Sequence, residues 1–122
     1  MQSYSQLPHL SNVLLEESYV LDIEIHPGFI KFKMEFVLTS DHPEYTEPPP
    51  TERYCYRRGL LSFDGVIRCL WSDQGAPPAT DATGETDYGN IDAFRVDGSF
   101  YSLEGDRGSM DVVASGVEIR LE

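Results

Sequence analysis

A chain of 122 residues with a hydrophobic share of 40% is the size of one domain, residues 1–122, and can bury a core that needs no metal or disulfide to hold it. Its 21 acidic and 9 basic residues leave a net charge of -12, a field that disfavours nucleic acid and anionic membranes and either serves solubility alone or favours a basic protein partner or a cation. No apolar run approaches the ~18 residues of a membrane span, no charged-then-apolar leader opens the chain, and two cysteines make no disulfide framework, so a cytoplasmic location is expected.

Residues 1–17 show little periodicity. SNVLLEE, residues 11–17, predicts at most one short helical turn with Ser11 as its cap. From Tyr19 the pattern becomes a period of two: Tyr19, Leu21, Ile23 and Ile25 alternate with Val20, Asp22 and Glu24, as a strand requires. Pro27-Gly28 then marks a turn, because proline pre-sets its own φ and glycine accepts a positive one. Beyond it Ile30, Phe32, Met34, Phe36 and Leu38 alternate with Lys31, Lys33 and Glu35. Folding the chain at this turn sets Ile25 against Ile30, Ile23 against Phe32, Leu21 against Met34 and Tyr19 against Phe36. On the other face Glu24 meets Lys31 and Asp22 meets Lys33, so both lysines of the chain find acids. A slip of one residue would turn the apolar set outward, which selects this register.

Residues 40–52 form a long connection whose EPPP run forbids a central strand and favours an extended polyproline path. RYCYRRGLLSFDGVIRCLW, residues 53–71, then reads as a second hairpin around Asp64-Gly65, a strong short-range hairpin signal. In that register Leu60 faces Cys69 and Ser62 faces Ile67. Cys55 lies well beyond the partner of Cys69, which argues against a bond between the two thiols. A second long connection, residues 72–89, follows. The C-terminal third reads as a four-strand meander with turns at Asp97-Gly98, at 106–109 and at Ser115-Gly116. Those turns line up Phe94, Tyr101, Val112 and Ile119 on one face, together with Leu103, Met110 and Leu121. About eight mostly antiparallel strands result, and the expected fold is all-β, a sandwich or a partly open barrel.

Function is sought first in the two long connections, because loops of this length are uncommon in compact domains. TDATGETDYGNID, residues 80–92, holds Asp81, Glu85, Asp87 and Asp92 with no Lys or Arg. A calcium hand loop begun at Asp81 would need glycine at its sixth position and finds Thr86 there, so no metal is assigned. The histidines and cysteines are spaced too widely for a zinc site, no nucleophile motif or phosphate loop occurs, and no cofactor is expected. The aromatic residues carry more. Tyr45 sits in the proline loop, Trp71 ends a strand just before the acidic stretch, and Tyr88 lies at the end of that loop. Tyr54 and Tyr56 flank Cys55 beside Arg57 and Arg58. Tyr, Trp and Arg dominate binding hot spots, yet they also pack well in sheets, and packing is the first reading for Tyr54, Tyr56 and Trp71.

With LEESYVLDIEI, YCYRRGLLSF and TDYGNID on the page, the chain resembles small bacterial β-rich cytoplasmic domains of uncharacterised families, some of them grouped with toxin-immunity proteins. The likeness covers most of the layout: the entry at Glu17-Ser18, the first hairpin and the meander ending in VEIRLE. None of these strings is a catalytic motif, so the resemblance carries over no functional residue and implies a stand-alone binding protein. Two readings stand. The first is a non-enzymatic binding module that meets a basic partner with its acidic loops and uses Tyr45, Trp71, Asp81, Glu85, Asp87 and Tyr88. The second is a small-ligand binder or enzyme with a pocket near Trp71, Tyr88, Arg57 and Arg58. The oligomeric state is left open.

Overall fold

The structure is a computed structural model that describes residues 1–72, 89–106 and 108–122, together with the backbone of 79–80 and 86–87. Its strands are β1 (Gln2–Ser3), β2 (Tyr19–His26), β3 (Phe29–Leu38), β4 (Cys55–Asp64), β5 (Arg68–Ser72), β6 (Ala79–Thr80), β7 (Thr86–Asp87), β8 (Ile91–Asp97), β9 (Phe100–Gly105), β10 (Gly108–Val113) and β11 (Gly116–Leu121). Nine of them make two antiparallel sheets, of order β1-β8-β9-β10-β5 and β11-β4-β3-β2, while β6 and β7 pair only with each other. The fold is all-β, and the two sheets form a sandwich with no closed barrel among the described residues. All eight expected strands are present. The short β1 and the β6–β7 pair are additions that no periodicity could announce at two residues each.

The first hairpin follows its alternation up to one point. Ile25 opposes Ile30, Ile23 opposes Phe32, Glu24 opposes Lys31 and Asp22 opposes Lys33, around a turn in which Gly28 has φ 86°. Asp22 and Lys33 are exposed, whereas Phe32 is buried and Ile23 packs against the core. The register then shifts by a bulge between Val20 and Asp22, so that Val20 opposes Met34 and Tyr19 opposes Glu35. The expected pairs Leu21–Met34 and Tyr19–Phe36 do not form. The bulge lets Val20 enter the core and turns Tyr19 outward. Its physical partner is Ser18, fully buried, whose hydroxyl accepts the Val37 N–H at 2.9 Å and donates to the Leu14 carbonyl at 2.6 Å.

Asp64-Gly65 does not close a hairpin. β4 pairs along its whole length with β3 and, on its other side, with β11, while β5 pairs with β10 in the other sheet. The segment is a corner that carries the chain between layers. β10 and β11 make the return crossing beside it, so the four-strand meander is a meander of three, β8 to β10, and β11 belongs to the opposite sheet. Within it Leu103 meets both Phe94 and Met110, and Tyr101 meets Val96 and Val112. The two corners are tied together: the Asp64 carbonyl accepts the Ser115 N–H at 2.8 Å, and the Val113 carbonyl accepts the Ile67 N–H at 2.9 Å. Gly65, at φ 61°, lies so close to Ser115 that a Cβ would overlap its side chain. Corners of this kind are the usual way an all-β chain changes sheet.

One apolar cluster lies between the layers. Ile30, Met34, Phe36, Leu61 and Phe63 enter it from one sheet, and Phe94, Tyr101, Leu103, Met110 and Val112 from the other. The Phe63 ring touches Phe32, Phe94 and Tyr101 at centroid distances of 5.2–6.2 Å. Burying each such side chain contributes about 1.5–3 kcal/mol. The N-terminal segment adds Tyr4, Leu10, Val13 and Leu15. It forms two 3-10 turns, Tyr4–Gln6 and Leu15–Glu17. Ser11 caps neither, because its hydroxyl bonds back to the Pro8 carbonyl, and Leu14 holds the capping position instead.

Candidate binding surface

The acidic connection begins and ends at one place. Trp71, near the end of β5, and Asn90, just before β8, both line a small apolar cavity with Val20, Ile23, Phe32, Leu103 and Met110. The cavity holds about 30 Å³. That is room for one or two waters, whereas small-molecule sites run to roughly 300–1,000 Å³. Trp71 packs against the core as its wall. The Asn90 amide donates to the Ser18 carbonyl, its N–H donates to the Asp106 carboxylate at 3.0 Å, and the Gly89 carbonyl accepts the Val20 N–H at 2.8 Å. These bonds fix the exit of the connection against β2.

Of the candidate residues inside it, Asp81, Glu85 and Tyr88 lie outside the described residues. Asp87 is in β7, its backbone opposite Ala79. Tyr45, in the proline loop, is half-buried and packs against the core, with its N–H donated to the His42 carbonyl at 3.0 Å. Neither Arg57 nor Arg58 is among the residues that line the cavity at Trp71. Arg57 reaches Glu44 at 3.4 Å and the Glu122 carbonyl at 2.8 Å, and Arg58 pairs with Glu35 at 3.4 Å. Among the described residues no three His, Cys, Asp or Glu side chains group as metal ligands would. Cys55 is buried and Cys69 half-buried, both thiols are free, and burial raises the pKa of Cys69.

The structure assembles something that the alternation pattern hid. Lys31, Lys33, Glu35 and Val37 lie on the face of β3 opposite Met34, Phe36 and Leu38, and Val37 is fully buried there, outside the cluster between the sheets. Tyr19 pairs with Glu35 and Tyr56 with Val37, so both tyrosines share that outer face. The Tyr19 and Tyr56 rings lie 6.4 Å apart, and Tyr54 meets Tyr56 edge-on at 6.1 Å. The Arg53 guanidinium sits 5.4 Å over the Tyr54 ring. The Tyr56 hydroxyl is held above its ordinary pKa by burial first, then by the charges of Tyr19, Glu35, Tyr54 and Glu52 around it. Tyr54 and Tyr56 were visible as a pair flanking Cys55. Tyr19 was not, because only the bulge brings it to this face.

No protein-family model matches the chain, and neither a curated protein nor a solved structure is found similar to it. No helix among the described residues is long and apolar enough to cross a membrane.

Proposed function

We propose that the chain is a non-enzymatic binding module that meets a basic protein partner through its acidic loops, residues 40–52 and 80–92. The observation that carries this reading is the uneven distribution of charge. Both lysines stand opposite acids across β2 and β3, and Arg57, Arg58 and Arg120 have Glu44, Glu35 and Glu118 within 3.4–3.9 Å. The two stretches hold Asp41, Glu44, Glu47, Glu52, Asp81, Glu85, Asp87 and, at the start of β8, Asp92 without one Lys or Arg of their own, and Glu44 among them is the carboxylate that Arg57 meets. Acid concentrated in two stretches of the chain speeds encounter with a basic surface more than it tightens the complex. The small size of the cavity at Trp71 supports binding over catalysis. An immunity-like role in a bacterial cytoplasm is one form of this reading, and free thiols suit that compartment.

The test is association with a poly-lysine surface at low and at physiological salt. Converting Asp81, Glu85 and Asp87 together to Asn, Gln and Asn slows association and flattens its salt dependence. The same number of exposed acids outside the loops, Asp64, Asp97 and Glu104, serves as the control. Equal slowing in both variants would mean that net charge alone acts and that the loops have no special part.

A further inference from the structure

We infer that Tyr19, Tyr54 and Tyr56 form an aromatic docking surface for a lysine- or arginine-bearing segment of a basic protein partner, an inference that rests on the reading above and names where the contact is made. The surface sits between the ends of both acidic loops. Residues 40–52 run directly into Arg53 and Tyr54. Gly89, at the exit of the other connection, bonds to the N–H of Val20, next to Tyr19. A partner steered by either loop therefore arrives at these rings.

Tyr56 stands opposite the fully buried Val37 and so has a part in covering it, but folding does not require the exposure of Tyr19. Tyr19 is 38% exposed, although the regular alternation of β2 would have pointed it at Phe36 in the core. The strand spends a bulge to turn it outward, and bulges recur where a side chain is re-aimed for a purpose. Tyr54 and Tyr56 are half-buried. No hydroxyl of the three bonds to a described residue, whereas the buried Tyr4 hydroxyl has partners in Val13, Leu15 and Glu16. Tyrosines with an apolar body and a wet tip are characteristic of protein interfaces. Charge selects the partner's chemistry. Glu35, shared with Arg58 at 3.4 Å, and Glu52 act on Tyr56, and ring faces carry negative potential of their own. Arg53 over Tyr54 shows within the molecule that a guanidinium settles on such a face. Among the described residues, no cation lies over Tyr19 or Tyr56.

The experiment uses a short alternating arginine–glycine peptide, with its glutamate–glycine counterpart as control, titrated into the labelled protein at low salt and followed by NMR. The arginine peptide shifts the ring signals of Tyr19, Tyr54 and Tyr56, and the glutamate peptide does not. Replacing Tyr19 and Tyr56 by Leu weakens binding by about fivefold or more, the loss of two cation–π contacts, while replacing both by Phe keeps it. Melting of each variant verifies its fold, and the ring shifts in the unaltered protein stand even if the Leu variant fails to fold. Binding that persists unchanged in a folded Leu variant, with shifts confined to the acidic loops, would overturn the docking surface and leave the basic-partner reading in place. Absence of saturable binding to the arginine peptide would overturn both.

Discussion

Tyr4 shows how much one residue can tie down. Its hydroxyl is buried, shares its single proton between the Val13 carbonyl at 3.0 Å and the Glu16 carboxylate at 2.5 Å, and accepts the Leu15 N–H at 3.0 Å. It thereby joins the first 3-10 turn to the second, and its ring lies 5.8 Å from that of Phe94. Burial, then the bond to Glu16, raises its pKa well above the ordinary tyrosine value. The sign of the linkage follows: a folded-state pKa raised above the unfolded one stabilises the fold fully below about pH 10 and less and less as pH climbs beyond it. Urea unfolding between pH 7 and 11 should therefore show stability falling from about pH 10 upward. Tyr4→Phe should lower stability at pH 7 by about 1–2 kcal/mol, for the lost bonds, and make the alkaline fall shallower. An identical alkaline slope in the variant would assign the fall to other groups, such as the buried Tyr101 and the half-buried Tyr56, whose pKa values burial also raises.

At the scale of elements, the sequence is legible where partners are neighbours and illegible where they are not. β2 and β3 could be paired because their two alternating faces agree and both lysines find acids. The same logic applied to β4 and β5 gave a hairpin, since Asp-Gly between apolar runs is a local signal for one. It failed because β4 has better partners on both edges, β3 for ten residue pairs and β11 for six, and these contacts are remote in sequence. The positive φ of Gly65 serves a corner as readily as a hairpin. Ser115-Gly116 misled in the same way. The bulge at Leu21 was invisible too, as a single extra residue leaves the composition of a strand unchanged, and with it the outward Tyr19 was missed. Site residues in the acidic connection were nominated by charge alone, and charge gives no geometry. The corner itself can be tested. Gly65→Ala must accept a left-handed φ and a Cβ overlapping Ser115, so it should destabilise the protein by at least about 1–2 kcal/mol. In a two-residue hairpin free of Ser115 the overlap would be absent. A second change, Ser115→Gly, removes the obstructing side chain and should recover part of the loss in a double-mutant cycle by chemical denaturation. No coupling between the two positions would contradict the packing of the corners.

For the whole molecule, the surplus of twelve negative charges is the dominant fact. Among the described residues, the surface ion pairs of the arginines span 3.4–3.9 Å, and each is worth at most about 1 kcal/mol. Repulsion among the remaining carboxylates outweighs them and opposes the compact state. Salt acts on both terms, but it weakens the larger one more. Scanning calorimetry should therefore show the melting temperature rising as sodium chloride goes from low to physiological strength, where charges more than about 8 Å apart cease to feel each other. Converting Asp81, Glu85 and Asp87 to Asn, Gln and Asn should raise the melting temperature at low salt and reduce the further gain from salt. Calcium separates this general screening from a bound ion. A site filled at a hundred times its dissociation constant would add about 2.7 kcal/mol, several degrees in a domain of this size. Residues 80–92 lack the glycine and the ligand spacing of a calcium loop. Millimolar calcium should thus raise melting no further than sodium chloride of equal ionic strength. An additional rise of several degrees, abolished by Asp87→Asn, would make the acidic stretch a cation site and count against the proposed steering role.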